Sequence, residues 1–69
     1  MAFTVAPLKR ILKSHGINRV SDNAVRMLAQ VLEERLTGLA QESDKIAKHS
    51  GRKTILRRDV KLARKVVGL

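Results

Sequence analysis

The sequence predicts an all-α fold of three helices, short, long and short. Three observations predict it. Residues 21–50 hold no proline and one glycine, Gly38, and their apolar residues Ala24, Met27, Leu28, Val31, Leu32, Leu36, Leu39, Ala40, Ile46 and Ala47 recur at steps of three and four. That spacing places one apolar stripe along a helix. Gly16 and Gly51 bracket the stretch where left-handed helix stops belong, and a shorter segment with the same spacing lies beyond each of them.

The first helix begins near Val5. Thr4 caps it, and Pro7 is tolerated because first-turn amides have no intrahelical partner. Leu8, Ile11 and Leu12 form its apolar face, and it ends before Gly16. Residues 17–20 are a short loop. Ser21 is the N-cap of the long helix, and Asp22 in its first turn complements the helix dipole. Gly51 ends this helix, and Arg52, Lys53, Thr54 and Ile55 make a short extended connection. The third helix runs over about residues 57–66, with Val60, Leu62, Ala63, Val66 and Val67 apolar. Arg57 and Arg58 stand in its first turn, where positive charge opposes the dipole. Either an anion lies beside them or the pair is simply solvated.

At about 1.5 Å per residue, residues 22–50 span about 43 Å as a helix. A compact chain of 69 residues has a radius of gyration of about 11 Å, roughly 28 Å across as a sphere. A rod of that length cannot have its stripe covered by the rest of one chain, so a second copy or a related partner is expected to cover it. Composition agrees. A chain of this size forms a single domain, residues 1–69, with a marginal core, and such domains add disulfides, a metal or oligomerisation. There is no cysteine, and His15 and His49 alone make no metal set. Oligomerisation is what remains.

The net charge is +9 and unevenly placed. Residues 1–20 carry Lys9, Arg10, Lys13 and Arg19 with no acid, +4; residues 21–50 come to −1; residues 51–69 come to +6. The flanks suit a polyanion while the near-neutral centre packs. The plainer alternative is that the charge keeps a small protein in solution. The first residues lack a basic region followed by an apolar run, and no apolar run approaches a membrane span, so a soluble intracellular protein is expected.

Particular residues carry a family resemblance: Ala6, Pro7, Arg10 and Ile11; Gly16; Arg19, Val20, Ser21 and Asp22; Leu32, Glu33 and Glu34; Ala47 and His49; Gly51, Arg52, Lys53, Thr54 and Ile55; Asp59 and Val60. On these the chain closely resembles the archaeal histones over essentially its whole length. The Gly-Arg-Lys-Thr-Ile run with Asp59 at a fixed offset is the most specific part. The resemblance implies a histone fold in an intertwined handshake homodimer, whose paired loops and first-helix starts grip phosphates on successive minor-groove faces of double-stranded DNA. No base code is read; the duplex is bent and wrapped.

The resemblance also implies roles. Arg19 enters the minor groove, a setting that suits a weakly hydrated guanidinium, and Thr54 steadies it. Arg10, Lys13 and Lys53 contact phosphates, Lys9 is an addition to them, and amides near Ala6 and Ser21 can bind phosphate as well. Arg52 and Asp59 form a structural ion pair. Ile46, His49, Asp59 and Leu62 lie where two dimers meet, with a His49–Asp59 contact across that boundary. Gly16, Glu34, Lys61 and Lys65 face neighbouring turns of the superhelix. The expected partners are duplex DNA, the chain itself as a homodimer and higher oligomers on DNA, and histone paralogues, on the chromosome in the cytoplasm. No cofactor, metal, membrane or small-molecule substrate is expected. The sequence departs from better-known members at Arg57 and Arg58, at the uncharged Gln30, and at Val25, where an arginine is common; fewer acid–base pairs between turns follow.

Other classes have less behind them. Glu33 and Glu34 point about 100° apart on a helix and suit a solvated face rather than paired catalysis. A cationic amphipathic membrane binder would need aromatic anchors, and Phe3 is the one aromatic. A histone-fold partner in a heterodimeric transcription regulator is the remaining alternative. It would need a distinct second chain to fold.

Overall fold

The computed structural model describes residues 5–69. Among these lie α1 (Val5–Ser14), α2 (Asp22–His49) and α3 (Arg57–Val67), with no strand. The expected cap at Thr4 lies outside the described residues. The long helix stops one residue short of the expected residue 50, and α3 continues one past 66.

The starts and stops have local causes. Ser21 Oγ accepts the Ala24 amide at 3.0 Å, the N-cap bond expected of it. At the end of α1, Ile17 N donates to Leu12 O and Gly16 N to Lys13 O, each at 3.0 Å, and Gly16 has φ +79°. At the end of α2, Arg52 N donates to Ala47 O and Gly51 N to Lys48 O, each at 2.9 Å, and Gly51 has φ +74°. Both are Schellman stops, which need a left-handed residue that glycine adopts without a Cβ penalty.

The chain divides into two compact units, one ending at Glu34 and the other Arg35–Leu69, and α2 contributes to both. In the first, Leu8 of α1 packs with Val25 and Ala29 of α2, and Val5, Leu12 and Val20 close around them. Ile11, expected on the apolar face of α1, is exposed; Val5 lies in its place, because the buried arc of α1 follows residues 5, 8 and 12. In the second unit the buried residues are Ser43, Ala47, Asp59 and Ala63, and Ser43 Oγ donates to Leu39 O at 2.8 Å.

The stripe expected on α2 is left uncovered by the rest of one chain, as its length implied. Met27, Leu28, Val31, Leu32 and Leu36, all placed in it, are exposed. Val25 and Ala29, left out of it, are 0% and 2% exposed. A step of three or four is shared by adjacent faces of a helix, so spacing alone merges the face that meets α1 with the face beside it. Val25 is therefore a core residue, and a charge at that position would have to be buried.

Candidate nucleic-acid interface

In the first unit, α1 presents Lys9, Arg10 and Lys13 at steps of one and three. With Ile17, Asn18 and Val20 they line a shallow concavity beside the turn that Gly16 makes. The cations are not equivalent. Lys9 Nζ lies 2.5 Å from Asp22 Oδ1, tying α1 to the first turn of α2. The bond from Lys9 and its charge, with a smaller contribution from Arg26, hold the Asp22 carboxyl below its ordinary pKa. Arg10, Lys13 and Arg19 are exposed and form no ion pair among the described residues. They are the cations left unpaired on α1 and the turn after it, while Arg26 on α2 donates to Asn23 Oδ1 at 3.4 Å.

In the second unit the connection after α2 is held from within. Arg52 Nη2 donates to Asp59 Oδ1 at 2.7 Å, and Arg52 Nη1 donates to Asp59 Oδ2 at 2.8 Å and to Thr54 O at 3.1 Å. Asp59 Oδ2 also accepts the Leu56 amide at 2.7 Å. Leu56 is the N-cap of α3 and has no side-chain acceptor, so Asp59, three residues on, closes this cap alone. The arrangement leaves Lys53 and Thr54 exposed at the turn. The Arg52 bond first, and the Leu56 amide second, depress the Asp59 pKa to about 2, against a smaller opposing effect of desolvation. The same bond raises the Arg52 pKa above its usual value.

The residues expected between dimers fare differently. His49 and Leu62 are exposed and Ile46 is half-buried. Asp59 is 2% exposed and its carboxylate already accepts three hydrogen bonds. The ion pair with Arg52 is thus present within the chain. Glu34, in the first unit, and Lys61 and Lys65, in the second, are exposed. A second concavity, lined by Arg58, Lys61, Leu62, Arg64, Lys65 and Leu69, was not expected. Its signal in the sequence was the step of three and four through residues 58, 61 and 65 and through 57, 61 and 64.

Exposed guanidinium and ammonium groups at helix ends and turns can neutralise phosphates and fix the position of a nucleic-acid backbone. Among the described residues no three of His, Cys, Asp and Glu gather to hold a metal ion, and no helix is long and apolar enough to cross a membrane.

Comparison with known proteins agrees with this geometry. The family described as histone-like transcription factor (CBF/NF-Y) and archaeal histone matches residues 1–63. The chain is similar to one of the subunits of the archaeal histone HAN1 of Thermococcus zilligii, 39% identical over 59 residues, covering 86% of this chain and 88% of that protein. It is 48% identical to probable archaeal histone 3 of Methanocaldococcus jannaschii over 59 residues, with the same coverage of each. It is 39% identical over 56 residues to the DNA-binding protein HmvA of the same organism, covering 81% of this chain and 58% of that protein.

Proposed function

The chain belongs to the family of histone-like transcription factors (CBF/NF-Y) and archaeal histones, and from that premise we propose that it is an architectural protein of the chromosome. It acts as a single histone-fold domain, residues 1–69, paired with a second copy in a handshake dimer. The dimer binds double-stranded DNA with little sequence preference, wraps and compacts it, and joins other dimers in nucleosome-like filaments in the cytoplasm. It is not an enzyme.

The observation that carries this reading is the set of unpaired cations at the turns and first helix: Arg10, Lys13 and Arg19 in one unit and Lys53 in the other. The Arg52–Asp59 pair shapes the turn that presents Lys53 and Thr54. Lys9 is held by Asp22 in the free chain, so it reaches phosphate by exchanging partners. Ser21 caps α2 through its hydroxyl and keeps its backbone for a phosphate. The exposed Met27, Leu28, Val31, Leu32 and Leu36 support the dimer: five large apolar side chains on one helix, each at least 38% exposed, are what a second chain would cover.

Where two dimers meet, Ile46 and Leu62 form the apolar centre and His49 contacts Asp59 across the boundary. Gly16, and Glu34 with Lys61 or Lys65, face neighbouring turns. Light scattering of the purified protein, then titration of a short duplex at several salt concentrations, tests the core of it. A folded dimer whose affinity falls steeply with salt is expected. A stably folded monomer, or salt-insensitive binding, overturns it.

A second reading is favoured by the Thermococcus relative, which is named as one subunit of its histone. On that reading the chain pairs with a paralogue or acts within a transcription regulator. Purified alone it would then be largely unfolded.

A further inference from the structure

α3 carries Arg57, Arg58, Lys61, Arg64 and Lys65 against one acid, Asp59, and that acid is buried and held by Arg52. At 100° per residue the five cations fall within an arc of about 120°. All five are exposed. Arg64 Nε donates to Leu69 O at 2.8 Å, and none of the five forms an ion pair among the described residues. Four of them line the concavity described above, whose walls include no residue of the connection 50–56. The concavity thus lies along α3 and not on the turn that presents Lys53 and Thr54.

Like charges three and four residues apart on a helix repel, and two of these stand where the dipole also opposes them. Glu34, proposed above to meet Lys61 or Lys65 of a neighbouring turn, is one carboxylate against five cations. The face is also poor material for a protein partner, because protein interfaces are built on apolar and aromatic anchors and are depleted in lysine. A duplex has the complementary chemistry: one phosphate charge per roughly 1.7 Å of its axis, met by cations without any apolar centre. From Arg57 to Lys65 the helix rises about 12 Å, which corresponds to roughly seven such charges.

We propose that this face of α3 binds the phosphate backbone of a second duplex segment, so that the protein bridges two stretches of DNA as well as bending one. The inference rests on the DNA-binding reading above. In the test, beads carrying one duplex are loaded with the full-length protein and offered a labelled free duplex, while affinity for a single short duplex is measured separately. The variants are the triple Arg57→Gln, Arg58→Gln, Arg64→Gln and its charge-keeping counterpart Arg57→Lys, Arg58→Lys, Arg64→Lys, with helix content checked by circular dichroism. The parent and the lysine variant should capture the free duplex. The glutamine variant should lose about fivefold or more of that capture while its single-duplex affinity moves less than about twofold, and the salt slope of capture should fall by up to about 2.7, or 0.9 per lost phosphate contact. If the parent binds the short duplex but captures no second one, if the glutamine variant captures as well as the parent, or if the lysine variant loses capture too, the bridging face is refuted and the wrapping proposal stands. If the parent fails to bind even the short duplex, the proposed function falls and this inference with it.

Discussion

Arg52 and Asp59 are joined by two parallel hydrogen bonds, 2.7 and 2.8 Å long, between a guanidinium that is partly exposed and a carboxylate that is buried. The pair fastens the turn after α2 to the start of α3, and the Leu56 amide shares the same carboxylate. Turn shape, helix cap and the display of Lys53 thus depend on one acid.

That acid makes stability sensitive to low pH. Its folded pKa of about 2 lies below the roughly 3.9 of an unfolded aspartate, so on acidification the unfolded chain takes up the proton first. The contribution of Asp59 is complete above about pH 4 to 5 and is lost as pH falls toward 2. Asp22, also depressed by Lys9, adds in the same direction. Thermal unfolding of the protein and of Asp59→Asn across this range checks it. The variant should melt lower at pH 7 and show a shallower decline below pH 4; parallel declines would remove Asp59 as the cause.

Val25 anchors the core of the first unit. Val25→Ala should cost about 2 kcal/mol in urea denaturation, from lost methyl burial and the cavity left behind. Val25→Arg should be far worse, because it buries a charge for which the core around Leu8 and Ala29 offers no partner. Equal stability of the arginine variant would mean the side chain escapes to water.

The glycines should respond in opposite directions, although a Cβ at either Gly38 or Gly51 would meet nothing within 4 Å. Gly38 is inside α2 with a helical backbone, so Gly38→Ala should stabilise by about 1 kcal/mol. Gly51 has φ +74°, so Gly51→Ala should destabilise by about 1 to 2 kcal/mol through backbone strain alone. Denaturant midpoints decide. A destabilised Gly38→Ala would show that another chain approaches α2 closely there.

Arg19→Ala should leave helix content and melting unchanged, because Arg19 is exposed and forms no ion pair among the described residues. It should weaken compaction of long DNA several-fold, read by microscopy or sedimentation. Ser21→Ala offers a control of the opposite kind, costing about 1 kcal/mol of stability by removing the cap on Ala24. Compaction by the Arg19 variant equal to that of the parent would take Arg19 out of the mechanism.

The legible parts of this protein are those with local causes. Ser21 as a cap, Gly16 and Gly51 as stops and the cationic flanks need only neighbours within a turn or the sign of a side chain. The Arg52–Asp59 pair was legible through the family resemblance, because the two residues share a short motif. The candidate site was readable as a set of residues and not as a set of free cations: that Lys9 is held by Asp22 depends on which side chains meet.

By itself the sequence determined the three helices, where they end, how the positive charge is divided and to which family the motifs belong. Backbone hydrogen bonding, glycine's left-handed freedom and formal charge all act over a few residues, so they survive being read along a line. Only the tertiary structure decided that α2 turns Val25 and Ala29, and not Met27, Leu28 and Val31, toward α1, and that Arg52 draws Asp59 away from the cations of α3. Those outcomes depend on which face of a helix meets which neighbour, a choice of a few tens of degrees that steps of three and four cannot resolve.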